Sequence, residues 1–278
     1  MGSIINNIRG VFRLAHLFFY TFYFVGQLLY LDKAGKLTDD NRLDLREGWS
    51  KKMASIVGFK FTFGGELPDP AEGPFLYVGN HRSTLDPLLA FYKIQAWPLS
   101  RMWIKNWPLV GRGSQLTGII FVDKEDKGSR KSAKEHILFE MQRGHSIMVF
   151  PEGHTHIEPF TKTFHKGAFE QAAKGFGVVP YILEYRDVAD YWDHSESFVR
   201  HFIRAFGKRR HEVHLGIGPV IRSDNTWTLM RQSRQWIDVN MKAIHVKWGN
   251  HHYDGIDPES IPRDNPEIRQ HPGLATGV

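Results

Sequence analysis

The sequence predicts an α/β layered fold: a largely parallel sheet with flanking helices, preceded by N-terminal membrane-anchoring helices. Three observations carry that reading. After residue 58, short apolar runs alternate with amphipathic stretches, the signature of consecutive βα units. Polar clusters directly follow two of those runs, FLYVG and SIMVF, at the carboxyl ends where α/β proteins place their sites. Ahead of all of them lies an uncharged, aromatic-rich run.

That run, Leu14 to Leu31, has 18 residues without Asp, Glu, Lys or Arg, and seven of them are aromatic. As a helix it covers roughly 27 Å, a little short of a hydrocarbon core of about 30 Å. Arg9 and Arg13 precede it and Lys33 and Lys36 follow, so flanking charge gives no orientation. The aromatic content favours a headgroup-level or spanning anchor over the alternative, a buried core helix. A second helix follows, with Asp39 and Asp40 as candidate N-caps and Leu43, Trp49, Met53 and Ile56 at roughly helical spacing. Strands are expected at Phe59–Phe63, Phe75–Gly79, Met102–Ile104, Ile119–Val122, Ile147–Phe150, Val178–Glu184 and Val213–Ile217. Helices are expected at Pro87–Ile94, Ser129–Gln142, Phe164–Lys174, Ser195–Phe206 and Trp227–Trp248. From Gly249 the chain is rich in Pro, Asp, Asn and His and reads as a mobile or surface-draped tail. The expected organisation is therefore membrane-associating helices over 1–48, a catalytic domain over 49–248 and a tail over 249–278.

Composition narrows the chemistry. The 278 residues include no cysteine, which excludes disulfides, thiolate metal sites and cysteine nucleophiles. Lys and Arg exceed Asp and Glu by 36 − 30 = +6, a modest bias toward anionic partners. No nucleic-acid recognition module is in view, and no G-x-S-x-G elbow marks a serine hydrolase. The pairs His154/His156 and His251/His252 lack a third ligand at fixed spacing, so no metal is expected.

The first polar cluster is Asn80-His81-Arg82-Ser83-Thr84-Leu85-Asp86-Pro87. In a continuous helix His81 and Asp86 would stand about 140° apart. They meet only if the chain turns between them, and Asp86-Pro87 reads as an N-cap followed by the first residue of a helix. A carboxylate facing one imidazole nitrogen fixes the tautomer and leaves the other nitrogen as a base. The bland alternative makes Asp86 a cap and His81 a loop residue. The second cluster is Phe150-Pro151-Glu152-Gly153-His154-Thr155-His156, with Phe164-His165-Lys166-Gly167 downstream. The third is Lys105-Asn106-Trp107-Pro108-Leu109-Val110-Gly111, then Phe121-Val122-Asp123-Lys124. The fourth is Val178-Val179-Pro180-Tyr181-Ile182.

Together these four resemble the ordered blocks of the glycerolipid acyltransferase superfamily, the group that contains the 1-acylglycerol-3-phosphate acyltransferases. The family blocks read N-H-x-S-x-x-D, K-x-x-P-x-x-G with F-x-D-R, F-P-E-G-T-R with a downstream F-K-x-G, and V-V/I-P. The resemblance implies acyl transfer from a thioester of CoA or acyl carrier protein to the free hydroxyl of a lysophospholipid, most simply 1-acylglycerol-3-phosphate, at a phospholipid membrane. It implies His81 as general base and Asp86 as its orienting partner, with no cofactor. It further implies substrate-binding roles for Asn80, Ser83, Lys105, Lys124, Glu152, Gly153, Thr155 and Lys166. It also implies a membrane-associated enzyme on the cytoplasmic face of the cell membrane.

Two departures bear on the acceptor. Thr155 stands where the family has the arginine assigned to the acceptor phosphate, and Lys124 replaces the arginine of the second block, keeping charge but losing the bidentate fork. Another lysolipid acceptor, including an amino-acid lipid, is the alternative within the same chemistry. A non-catalytic lipid-binding protein on the same scaffold is the alternative from a different class.

Overall fold

The computed structural model describes residues 2–102, 110–192 and 195–256. Two N-terminal helices come first, α1 (Gly2–Lys33) and α2 (Asp39–Val57). The apolar run is the second half of a longer helix, because residues 2–13 are themselves amphipathic. Ile4, Ile8, Val11 and Phe12 face outward there, while Arg9 and Arg13 reach inward. Helix α2 is capped by Thr38, not by Asp39 or Asp40. The Thr38 hydroxyl accepts from the Asn41 amide at 3.3 Å, and the Asn41 side chain accepts from the Thr38 amide at 2.9 Å. The two aspartates occupy the first turn instead, where the helix dipole favours negative charge.

Seven strands form one sheet: β1 (Phe59–Gly64), β2 (Phe75–Gly79), β3 (Trp97–Arg101), β4 (Ile120–Val122), β5 (Ile147–Val149), β6 (Gly177–Tyr185) and β7 (His211–Ile217), in the order β1-β7-β6-β2-β5-β3-β4. Strands β2 to β6 run one way. The parallel pair β1 and β7 runs the other way, joined through an antiparallel β6–β7 contact.

Strands β2 and β6 are buried along their whole length, so alternate side chains feed two cores. Phe75, Tyr77, Val179 and Leu183 pack against α2, α3 (Asp86–Ala90) and α7 (Phe198–Phe206). Leu76, Val78, Val178 and Ile182 pack against α5 (Lys127–Gln142), α6 (Phe169–Ala172) and α8 (Thr226–Lys247). The remaining helix, α4 (Val110–Leu116), lies beside α1.

Three elements differ from expectation. A strand lies at Trp97–Arg101, where Pro98 disguises it and only Trp97 and Pro98 pair with β5, whereas the strand expected at Met102–Ile104 lies mostly outside the described residues. Helix α6 is a single turn, because the residues before it form a loop that carries Phe160 and Phe164 into the second core. The described start of the C-terminal segment is anchored as well: Tyr253 is completely buried. The domain boundary expected at residue 48 falls inside α2, whose Met53 and Val57 are core residues.

Helix α1 is built into this architecture. Leu14, Phe24, Val25 and Leu28 are buried, and Phe24 stacks on Trp49 of α2 with centroids 5.3 Å apart. Arg9 donates to the Gly207 carbonyl at 2.9 Å. Arg13 donates to the carbonyls of Phe206 at 2.7 Å and Arg209 at 3.1 Å, and also to that of Lys208. These cations satisfy the carbonyls of Phe206 and Gly207 at the carboxyl end of α7 and those of the two residues that follow. The opposite face, including Phe12, Phe19, Phe22, Tyr23 and Tyr30, is exposed.

Candidate active site

Because β2 to β6 are parallel, their carboxyl ends share one edge of the sheet, and there the loops after β2 and β5 carry the first and second polar clusters and the loop after β4 carries Lys124. The loop after β2 brings Nδ1 of His81 to 2.8 Å from Oδ2 of Asp86. Asp86 does not cap α3. Its carboxylate turns back to accept the amides of Arg82 at 2.5 Å and Ser83 at 2.8 Å, and the Tyr185 hydroxyl at 2.6 Å. A fully buried carboxylate surrounded by donors must hold Nδ1 of His81 as N–H, which leaves the Nε2 lone pair available. The imidazole is 17% exposed and lies face-on to Phe150 at 4.3 Å.

Glu152 is buried beneath the same loop. One oxygen accepts the His81 amide at 3.0 Å; the other accepts the Lys162 amide at 2.7 Å and pairs with His156. Burial alone would raise its pKa, but the bonds to His156, the Arg82 charge and the Lys162 amide hold it below the usual carboxylate range. Glu152 therefore fixes the backbone of His81. Asn80 and Ser83 likewise face inward. Asn80 bonds the backbone of Leu183 at 3.1 and 2.9 Å and the Glu184 carboxylate at 2.8 Å, while the Ser83 hydroxyl accepts the Leu85 amide at 3.3 Å. Both residues expected to contact substrate are spent on shaping the loop.

A second layer holds that loop from below. Arg82 is fully buried, with Nε 3.0 Å from Glu184 and other nitrogens donating to the carbonyls of Glu158 at 2.5 Å and Pro159 at 2.8 Å and to the Tyr253 hydroxyl at 3.0 Å. Glu184 also meets His245 at 2.9 Å and Tyr191. Burial pushes the Glu184 carboxyl up, but Arg82, His245 and Tyr191 outweigh it and hold its pKa down at about 2.

Beside the histidine, Gly153 takes a left-handed φ of 71°, and a Cβ there would lie 1.8 Å from Nζ of Lys124. Its carbonyl accepts Lys124 at 2.6 Å and Arg101 at 2.8 Å. Burial, then the Arg101 charge, lower the Lys124 pKa to about 8. Each cation keeps further N–H groups beyond this shared carbonyl.

Other expected residues lie elsewhere. Thr155 is buried, so it does not present its hydroxyl as the family arginine presents its fork. Lys166 pairs with Glu170 at 3.5 Å and sits over Trp227 at 5.7 Å, rather than joining Lys124. Lys105 lies outside the described residues. His156 is engaged by Glu152, and His251 pairs with Asp254 at 2.6 Å.

Sequence reasoning missed Glu184, Tyr185, Arg101 and the anchoring role of Arg82. A carboxylate near the end of an otherwise apolar strand was the available signal for Glu184.

A family model described as Acyltransferase matches residues 60–184, which runs from β1 through Glu184. The chain is 27% identical over 203 residues to a lyso-ornithine lipid O-acyltransferase of Pseudomonas aeruginosa, covering 70% of this chain and 77% of that protein. It is 30% identical over 132 residues to a 1-acyl-sn-glycerol-3-phosphate acyltransferase of Borreliella burgdorferi, covering 46% of this chain but only 52% of that one. The crystal structure of the LPA acyltransferase PlsC from Thermotoga maritima shares the fold, with a TM-score of 0.66, 16% identity, and coverage of 88% of this chain and 98% of that one.

Over residues 60–184 the chain is an acyltransferase, similar to the glycerolipid acyltransferases. Within this acyltransferase the matched region contains the His81–Asp86 pair, Glu152 and Glu184, whereas Tyr253 lies beyond it.

Proposed function

We propose that this acyltransferase moves a fatty acyl group from acyl-CoA or acyl carrier protein to the free hydroxyl of a lysolipid with an anionic head group, foremost 1-acylglycerol-3-phosphate. One observation carries the reading: a histidine oriented by a buried carboxylate stands at the same sheet edge as a cationic pair held on Gly153, whose neighbour Glu152 accepts the histidine's amide. His81 takes the acceptor's hydroxyl proton at Nε2 as the oxygen attacks the thioester carbonyl carbon. Asp86 steadies the imidazolium that results. The C–S bond then breaks, and His81 returns the proton to the leaving thiolate. Arg101 and Lys124 hold the anionic head group.

A second acceptor, a lyso-ornithine lipid, is favoured by two observations. The relative bearing that name aligns over more of both chains, and the arginine fork is absent at Thr155. Assay of the purified protein in phospholipid vesicles, with labelled palmitoyl-CoA and a panel of lysophosphatidic acid, lysophosphatidylcholine and lyso-ornithine lipid, decides between them. No transfer to any member of the panel, with CoA or carrier-protein thioester, overturns the proposal.

Attachment to the bilayer belongs to the same proposal. Helix α1 is long and apolar enough to cross a membrane, yet one face is buried against its own protein. Such a helix lies in one leaflet, outer face in the lipid, and holds the catalytic edge near lysolipid. Both donors are cytoplasmic thioesters, so the leaflet is the cytoplasmic one.

A further inference from the structure

Among the tyrosines packed around the catalytic loop, three have their hydroxyls committed. Tyr185 donates to Asp86 at 2.6 Å, Tyr191 meets Glu184 and lies 3.1 Å from His245, and Tyr253 accepts from Arg82 at 3.0 Å. Tyr181 differs. It is completely buried, and among the described residues its hydroxyl has no hydrogen-bond partner. An orphaned buried hydroxyl is a burden that phenylalanine, of the same shape, would not carry.

Its placement is specific. Tyr181 is paired with Gly79 in the parallel ladder, and its ring leans across that residue; a Cβ on Gly79 would lie 2.2 Å from the ring's Cζ and 2.7 Å from the hydroxyl oxygen. Gly79 thus makes room for the tyrosine two residues before His81. The same ring meets Phe150 edge-on, with centroids 6.1 Å apart and planes at 73°. Phe150 in turn lies face-on beneath His81 at 4.3 Å. Three rings therefore lead from the base to the orphaned hydroxyl. Burial, then the negative charge of Asp86, push the Tyr181 pKa well up, so the group stays a donor across the working range.

We infer that the Tyr181 hydroxyl donates a hydrogen bond to the carbonyl oxygen of the acyl thioester, strengthening as that oxygen becomes negative. The inference rests on the acyl-transfer reading above. Atoms balance without further reactants. The acceptor oxygen bonds to the carbonyl carbon, its proton passes to Nε2 of His81, the C–S bond breaks, and the proton ends on the thiol. Tyr181 lends a hydrogen bond throughout and keeps its proton. Half-buried Phe150 stands between the two groups, so for this bond to form its ring must turn aside as the acyl group enters. In so dry a position the bond weighs more than it would in water.

The test is Tyr181→Phe, which removes one oxygen. We expect kcat with palmitoyl-CoA to fall by about a hundredfold, the lower end of what loss of one oxyanion donor produces. KM for the acceptor should stay unchanged, and Tm should stay level or rise, since an unsatisfied buried group has gone. S-hexadecyl-CoA, a thioether with no carbonyl, should inhibit wild type and variant equally. A kcat that falls by much less than about a hundredfold, or a Tm that drops together with kcat, overturns the inference. Failure of the underlying reading is separate: the wild-type protein would then transfer no acyl group at all.

Discussion

His81 and Asp86 meet because the chain between them turns and because Asp86 is surrounded by four donors. His81→Ala should cut turnover by about 10²- to 10⁴-fold, the usual worth of a general base. The fold should survive, as circular dichroism and Tm can check, since the ring borders solvent. Asp86→Asn should be worse on both counts. An amide can hold the wrong imidazole tautomer, and its NH₂ cannot accept from the donors around it. The neighbouring lysine gives a pH signature. With its pKa lowered to about 8 in the fold, Lys124 loses charge as pH rises through that value. KM for an anionic acceptor should therefore rise between about pH 7 and 9, and Lys124→Arg should flatten the profile because the guanidinium stays charged. The stability term has the opposite sense. The unfolded chain binds more protons between the folded value of about 8 and the ordinary 10.5, so Lys124 disfavours folding below 8 and that penalty fades as pH rises.

Individual elements divide by how local their causes are. Strands β2 and β5 were legible because their apolar runs are unbroken and their polar loops follow at once, and β6 because its long run is apolar up to Glu184. Strand β3 was not, because Pro98 reads as a breaker while its tolerance depends on which neighbour the strand pairs with. The helix over Asp86-Pro87 was legible, but not the direction of the Asp86 carboxylate, which answers to amides upstream of it rather than to the helix. Helix α1 was legible as an uncharged aromatic run, but its buried side depends on α2, α4 and α7. Its two faces should respond differently. Phe12→Glu combined with Phe19→Glu, on the exposed face, should leave Tm level and reduce vesicle co-sedimentation, including at high salt. Leu28→Ala, on the buried face, should cost about 2–5 kcal/mol in denaturant unfolding with little change in vesicle affinity.

At the scale of the whole molecule, one buried network ties the His81–Asp86 loop to β6, α8 and the segment after it. Arg82 and Glu184 are both inaccessible, and Tyr253 closes on Arg82 from 171 residues away in sequence. None of this was readable beforehand, since no local pattern tells which charge a distant side chain will meet. Glu184→Gln should cost about 3–5 kcal/mol, because Arg82 is left as a buried, uncompensated charge. With the folded pKa of Glu184 held at about 2, its stabilisation is complete above the ordinary 4.5 and is lost as pH falls through 2; an acid-unfolding series of wild type against Glu184→Gln reads that window. The seam between α1 and α7 carries a last consequence. Arg9 and Arg13 bind carbonyls near 207, and Phe24 stacks on Trp49, so the anchor is held by side chains as well as by its peptide link. The link itself, Lys33 to Lys36 around Gly35, is exposed. Limited trypsin digestion there should yield a nicked enzyme whose two fragments stay together on the vesicle until denaturant parts them: the polypeptide tether is redundant once the protein has folded.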